Sequence, residues 1–400
     1  MSLPVEQNSE LVSLCLKMPE ELVDDFLGKL HYVSEFITGF ELISDAPSDQ
    51  VRFQLLPGHE EERAKIAGQI VEVARKMCGA YRRVESKVLA KRERAVSFND
   101  DPHPLLQARG DLFYFGQGRY GFGPRLVELL NFFDGRLLQL AESFSAEPYQ
   151  FPTLIGADLL ERCRYLQSFP HSLSFVSHLR EDLEAIQNFA RTAKWDGTRL
   201  VCDPQDVARI ECLLSSAVCF HCYAWLQNQR LTRPGVFTAV GKCFRYESGN
   251  LGKLERLWDF TMRELIFVGT QEQVLDQRER AIKETTRLLD EWELSYEISS
   301  ATDPFFIDEY SAATFQLAFD LKFEIQASLP YKRKTLAVGS FNFHRDYFGR
   351  SLNVSCAGGE AASTGCAAFG LERLVLAFIS QHGLNVNAWP RAVAGQMKRW

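Results

Sequence analysis

Gly241-Lys242-Cys243-Phe244-Arg245-Tyr246-Glu247, a short loop, then Arg256-Leu257-Trp258-Asp259-Phe260-Thr261-Met262-Arg263-Glu264 is the stretch on which the reading of this chain turns. The two halves read as antiparallel strands. Strand side chains alternate, so Arg245 and Glu247 share one face, and Phe260 and Glu264 share a face of the return strand. A guanidinium, a carboxylate and an aromatic ring converging on a sheet surface suit a nucleotide. The guanidinium can fork onto an α-phosphate, the carboxylate can accept from an adenine amine, and the ring can stack on the base. On spacing alone, a cross-strand ion pair on a solvated face is the simpler account.

Around this hairpin lie further strand-like runs, Ser295–Ser299, Leu321–Ala327 and Leu336–Phe343. Thr270-Gln271-Glu272-Gln273 has the form of a capping box opening a helix that runs towards Trp292. Pro124 can occupy the first turn of a helix carrying Leu126, Leu129, Leu130, Phe133, Leu137, Leu138 and Ala141, and an extended piece, Tyr149–Ile155, follows it. Hairpin-joined strands flanked by helices indicate an α+β domain with a largely antiparallel sheet.

The first hundred residues have a different texture. Val51, Phe53 and Leu55 alternate with polar neighbours and predict a strand ending at Pro57-Gly58. Ile66, Ile70, Val73, Met77, Tyr81, Val84 and Val88 recur at three- and four-residue spacing, which predicts one long helix. Arg75, Lys76, Arg82, Arg83, Lys87, Lys91 and Arg92 decorate its later half, as a solvated face or, less simply, an RNA-binding one. A polar linker is expected over Ser97–Pro104, dividing an N-terminal extension of residues 1–110, of unknown role, from a domain of residues 111–400.

Composition sets bounds on function. With 46% hydrophobic residues in 400, the chain can bury a substantial core, and a net charge of −7 argues mildly against nucleic acid as the main partner. Met1–Gln7 has no charged region followed by an apolar stretch, and no run reaches the length of a membrane span, so no secretory signal or membrane partner is expected. Ten scattered cysteines, without paired spacing, suit a reduced cytoplasm.

Phe-Arg-x-Glu, a loop, then Arg-x-x-x-Phe resembles motif 2 of the class II aminoacyl-tRNA synthetases. Ala368-Phe369-Gly370-Leu371-Glu372-Arg373-Leu374 resembles their motif 3, and the helix leading to Pro152 resembles motif 1, the dimer-interface element. The match sharpens over Tyr165-Leu166-Gln167-Ser168-Phe169-Pro170, Met262-Arg263-Glu264, Asp303-Pro304-Phe305-Phe306, Leu321-Lys322-Phe323-Glu324, Ser340-Phe341-Asn342-Phe343-His344 and Thr364-Gly365-Cys366. These runs are similar to those of the amino acid:[carrier protein] ligases, truncated relatives of the zinc-dependent seryl-tRNA synthetases of methanogens. The resemblance covers roughly residues 111–392.

The resemblance implies a class II core, dimeric through motif 1, that uses ATP, Mg²⁺ and a zinc ion. It implies Arg245 on the α-phosphate, Arg373 on the γ-phosphate, Phe260 on adenine, and nucleotide contacts from Glu247, Arg256 and Glu324. Ser340 and Asn342 are expected near the amino acid. Zinc would be held by Cys219, Glu264 and Cys366, two thiolates and a carboxylate that leave one position open for an unprotonated α-amine. His221 and Cys222 stand where the family has Pro and an apolar residue, and either could compete as a ligand. Glu324 could equally be an edge carboxylate without a ligand, and His344 beside Asp346 reads as a structural histidine. The implied reaction is activation of a small amino acid, glycine or alanine favoured, and transfer to the phosphopantetheine thiol of a holo carrier protein. A seryl-type tRNA synthetase using residues 1–110 for tRNA, and a non-catalytic regulatory relative, are the alternatives; charging of tRNA is not expected.

Overall fold

The computed structural model describes residues 9–44, 47–96, 98–306 and 311–400, so Met1–Gln7 and Ser97 of the readings above lie outside the described residues. The N-terminal part is a three-stranded sheet, β1 (Ser9–Ser13), β2 (Ile37–Ile43) and β3 (Gln50–Leu55), in the order β1-β3-β2. Helices α1 (Glu20–Leu30) and α2 (Arg63–Ala80) pack with it around Phe26, Phe53, Ile66, Ile70 and Met77. The alternation at Val51, Phe53 and Leu55 has its cause here, for these three are buried and the residues between them are not.

The long helix predicted from Ile66 to Val88 is corrected. It ends at Ala80, because Tyr81 turns to an extended backbone with ψ 134°, and Val88–Arg92 forms strand β4. The basic residues of that stretch are largely ion-paired: Arg75 with Glu72 at 2.6 Å, Lys87 with Asp320 at 2.9 Å, and Arg92 with Asp290 at 3.3 Å. They are a paired surface rather than an open cationic stripe. The expected linker is also shorter than drawn, since Asp101 caps a helix over Pro102–Ala108 by accepting from the His103 N–H at 3.1 Å.

The main sheet has eight strands. Besides β4 they are β5 (Glu147–Pro148), β6 (Gly235–Phe244), β7 (Asp259–Gly269), β8 (Tyr296–Ser300), β9 (Lys322–Leu329), β10 (Lys334–Arg345) and β11 (Ser363–Gly370), in the order β4-β8-β9-β10-β11-β7-β6-β5. All pairings are antiparallel except that of β5 with β6. Two placements fall across the expected division at residue 110: β4 joins this sheet, and Leu106 lies in its core.

One face of the sheet is covered by three helices, α3 (Pro124–Ser143), α5 (Gln271–Glu291) and α6 (Leu371–His382), against Leu265, Phe267, Phe341, Phe343 and Phe369. Pro124 opens α3, and Thr270 with Gln273 forms the capping box of α5. The other face carries Cys243, Met262, Glu264, Ile266, Cys366 and Ala368. Helix α4 (Cys219–Trp225) packs there through Cys219, Phe220 and Tyr223. No helix of the described residues is long and apolar enough to cross a membrane.

Candidate active site

Strand register brings the decisive residues together. On β7, Phe260 faces Cys243 across the ladder, and Glu264 lies between Ala239 of β6 and Ala368 of β11. Cys366 of β11 pairs with Ile266 on one side and with Asn342 of β10 on the other. Cys366 and Glu264 are thus diagonal neighbours on one face. Cys219, at the start of α4, descends on the pair from above.

The ligand atoms of Cys219, Glu264 and Cys366 lie within 4.8 Å of one another, and all three residues are buried. Glu264 Oε1 accepts from the Val218 backbone N–H at 2.9 Å, while its Oε2 is buried without a partner. Burial and the Cys366 thiol push the Glu264 carboxyl up to about 7, against the pull of Cys219 and the Val218 N–H. The contact between the two thiols raises Cys219 and lowers Cys366. A buried carboxylate oxygen without a hydrogen-bond partner, close to two sulfurs, is a polar atom whose placement suits a cation. The donor set fits a zinc ion: ligands at about 2.0–2.3 Å need only a small inward adjustment from these separations.

Asn342 Nδ2 donates to Ser340 Oγ at 3.0 Å and approaches Cys366 Sγ at 3.3 Å, so both residues expected near the amino acid stand beside the triad. His344 shares a hydrogen bond with Thr364 Oγ1 at 3.1 Å and also contacts Cys366. Asp346 pairs with Arg350 at 2.6 Å, so the neighbouring His344 and Asp346 form no acid–base pair. The two possible competitors are separated from the triad. His221 bonds the Leu154 carbonyl at 2.9 Å and stacks on Phe151, and Cys222, though buried nearby, is not among the grouped ligand atoms.

A cavity of about 2050 Å³ runs from the triad along the sheet, larger than the roughly 300–1,000 Å³ of an ordinary small-molecule pocket. Arg245, Glu247, Arg256, Phe260, Glu324 and Arg373 all line it. Arg245 lies over the Phe260 ring at 5.4 Å and donates to the Ser216 carbonyl at 3.1 Å. Glu247 is ion-paired with Arg256; burial pushes its carboxyl up, and Arg256, Arg373 and Arg245 together outweigh that and hold it low. Arg373 Nε donates to the Glu255 carbonyl at 2.7 Å, across the cavity from β7. Glu324 is engaged by Lys322 at 2.8 Å, and Lys322 also pairs with Asp303 at 2.8 Å, which leaves this carboxylate charge-compensated. The cationic end and the sulfur end share one continuous wall.

Two contributors escaped the sequence reading. Glu372, beside Arg373, accepts from both the Thr261 N–H (2.8 Å) and hydroxyl (2.8 Å), tying α6 to β7. Arg263 forms a two-pronged bond to Asp134 of α3, at 2.7 and 2.9 Å. Their positions inside Leu-Glu-Arg and Met-Arg-Glu were the available signal.

Comparison with known proteins identifies the family and the fold. Residues 214–382 match the tRNA synthetase class II core domain (G, H, P, S and T). The chain is 34% identical over 255 residues to amino acid--[acyl-carrier-protein] ligase 1 of Bradyrhizobium diazoefficiens, across 62% of this chain and 75% of that protein. It is 26% identical over 314 residues to the type-2 serine--tRNA ligase of Methanococcus aeolicus, across 76% of this chain and 60% of that one. A crystal structure of M. kandleri SerRS in complex with A. aeolicus tRNASec shares the fold, with a TM-score of 0.71 and 22% identity over 91% of this chain and 74% of that one.

Proposed function

Because this chain belongs to the amino acid--[acyl-carrier-protein] ligases, ATP-using enzymes on a class II synthetase core, we propose that it activates a small amino acid and loads it onto a carrier protein. Glycine and alanine are the favoured substrates. The carboxylate oxygen attacks the α-phosphorus of ATP, the bond to the β-phosphate breaks, and pyrophosphate leaves; Mg²⁺, when bound, would offset the phosphate charge. A carrier's phosphopantetheine sulfur then attacks the carbonyl carbon, the thiol gives up its proton, and AMP departs to leave an aminoacyl thioester.

Arg245 has the position to stabilise charge growing on the α-phosphate, with Phe260 under the adenine and Arg373 on the γ-phosphate. The Glu247–Arg256 pair would open, freeing the carboxylate for the adenine amine and the guanidinium for phosphate. Cys219, Glu264 and Cys366 would hold zinc, which when bound supplies a Lewis-acid site for the amino group. Ser340 and Asn342 would flank the substrate. Helix α3 would carry the contact between two copies in a homodimer.

The observation that carries this reading is the closed triad with its unpartnered Glu264 oxygen at one end of the cavity that holds Arg245 and Arg373. A serine-specific tRNA ligase is the second reading, favoured by the fold shared with M. kandleri SerRS over 91% of the chain. Amino-acid-dependent ATP–pyrophosphate exchange across the twenty amino acids, with and without chelator, tests activation. Parallel incubation with holo carrier protein and with total tRNA then separates the acceptors; charged tRNA beside an unloaded carrier ends the ligase reading.

A further inference from the structure

The loop Ser248–Arg256 between the two strands of the opening hairpin carries Glu255 and Arg256, both tied to groups of the nucleotide end. Ser248 and Lys253 hold left-handed backbone angles, φ 49° and 45°, which side-chain-bearing residues adopt only when their surroundings enforce it. Those surroundings come from earlier in the chain. Gln117 Nε2 donates to the Ser248 carbonyl at 3.1 Å, and the buried His103 accepts from the Leu254 N–H at 3.3 Å. Lys253 is ion-paired with Asp101.

Tyr331 and Lys332 hold the Glu255 carboxylate, and a further brace is the last turn of α1. Asn250 Nδ2 donates to the Gly28 carbonyl at 3.1 Å. Lys29 is 4% exposed, and its Nζ donates to the Phe305 carbonyl at 2.5 Å, with Asp25 at 3.7 Å. Tyr32 meets the His171 ring edge-on at 5.0 Å, and His171 stacks on Phe306. Gly28, Lys29 and Tyr32 all face the cavity. A buried ammonium spent on a backbone carbonyl 276 residues away is an expensive way to fasten a surface module, and a direct way to fix the segment Asp303–Phe305 against the nucleotide end.

We infer that the end of α1 is a permanent wall of the nucleotide site, with Lys29 and Asn250 as positioning residues that hold the Ser248–Arg256 loop and the Asp303–Phe305 segment in the arrangement ATP requires. The inference rests on the assignment of ATP to this cavity, and it gives the N-terminal module a role in activation that is independent of the acceptor. Lys29 and Asn250 touch neither the metal triad nor the residues assigned to the amino acid.

The test compares the full chain with its Lys29→Met, Asn250→Ala and Lys65→Ala variants. Mg·ATP affinity is measured by calorimetry, exchange kinetics by turnover, and zinc by elemental analysis. Lys29→Met keeps an unbranched apolar stem in the buried position, and Asn250→Ala removes one loop contact, so a folding failure of the first leaves the second to decide. Both should weaken ATP, Lys29→Met about tenfold, the scale of a lost charged hydrogen bond, and Asn250→Ala about fivefold, the scale of a neutral one, with saturated turnover within about threefold of the parent and zinc unchanged. Lys65, 67% exposed on α2 and away from the cavity lining, should be neutral. ATP affinity within twofold of the parent in both positioning variants, or an equal loss in Lys65→Ala, overturns the inference. ATP binding needs no acceptor, so a chain that binds ATP normally and charges only tRNA defeats the carrier assignment and leaves this one standing.

Discussion

The Arg263–Asp134 pair offers a prediction whose asymmetry can be worked from burial. The Arg263 side chain is 7% exposed and Asp134 is 25% exposed, and two bonds of 2.7 and 2.9 Å join them. Asp134→Ala strands a buried guanidinium whose one other side-chain contact is Thr238 at 3.4 Å. Removing one partner of such a pair costs about 3–5 kcal/mol, because the desolvated charge keeps its penalty and loses its compensation. Arg263→Met strands a carboxylate that water can reach, so its loss should be nearer about 1–2 kcal/mol, the scale of the lost charged hydrogen bonds. Arg263→Met with Asp134→Leu leaves no charge to compensate and should return to within about 1 kcal/mol of the parent. Urea midpoints followed by tryptophan fluorescence, with zinc content measured alongside, should rank Asp134→Ala lowest, Arg263→Met next, and the double variant close to the parent. Equal losses in the two single variants, or a double variant worse than either, would refute the argument from burial.

Cys366→Ser should abolish zinc retention and amino acid activation while leaving the far-ultraviolet spectrum intact, since the hydroxyl can take up the Asn342 amide; unchanged metal content by elemental analysis contradicts the ligand assignment. Arg373→Ala should reduce ATP–pyrophosphate exchange by at least about a hundredfold, the scale of losing a fixed charge on a phosphoryl group, and near-normal exchange means the γ-phosphate is held elsewhere. Glu372→Gln retains one acceptor for Thr261 and should cost exchange far less than Arg373→Ala; a comparable loss would show that the carboxylate does more than join α6 to β7.

The opening hairpin was legible because two independent signals coincide there. Alternation puts Phe260 and Glu264 on one face of β7, as expected, but β6 ends at Phe244, so Arg245 and Glu247 lie past the strand and reach the cavity from the start of the loop; it is the Phe-Arg-x-Glu and Arg-x-x-x-Phe runs that mark them. The same alternation could not show that Cys366 sits opposite Asn342, because register between β10 and β11 is a tertiary fact. The helix drawn through Val88 failed for a related reason. Tyr81, Val84 and Val88 continue the three- and four-residue spacing, yet Val88 is 51% exposed on an edge strand and buries against nothing. Spacing reports a candidate apolar stripe; it does not report whether a surface is there to receive it. The contact of Lys29 with Phe305 lies further beyond reach, since 276 residues separate its ends, and the Asp303-Pro304-Phe305-Phe306 run that marks one end says nothing of its partner.

What the sheet adds to the motifs is a ruler. Phe260 and Glu264 are four residues apart on one face of β7, and a rise of about 3.4 Å per residue puts their side chains about 13 Å apart along the strand. Between a stacked base at one end and a bound nitrogen at the other, that distance must hold a ribose, an α-phosphate and the backbone of one amino acid. Arg245, over the Phe260 ring and near Met262, stands between the two ends, where the carboxylate and the α-phosphate would meet. On the proposed reading, a substrate fixed by its nitrogen at the Glu264 end would present its carboxylate to the phosphorus whatever its side chain. Discrimination among amino acids would then fall to the few groups around the triad, Asn342 and Ser340 foremost. Asn342→Ala should accordingly change which amino acids support exchange more than it changes the apparent affinity for ATP. An unaltered preference together with a weakened ATP site would place the amino acid somewhere other than beside Cys366.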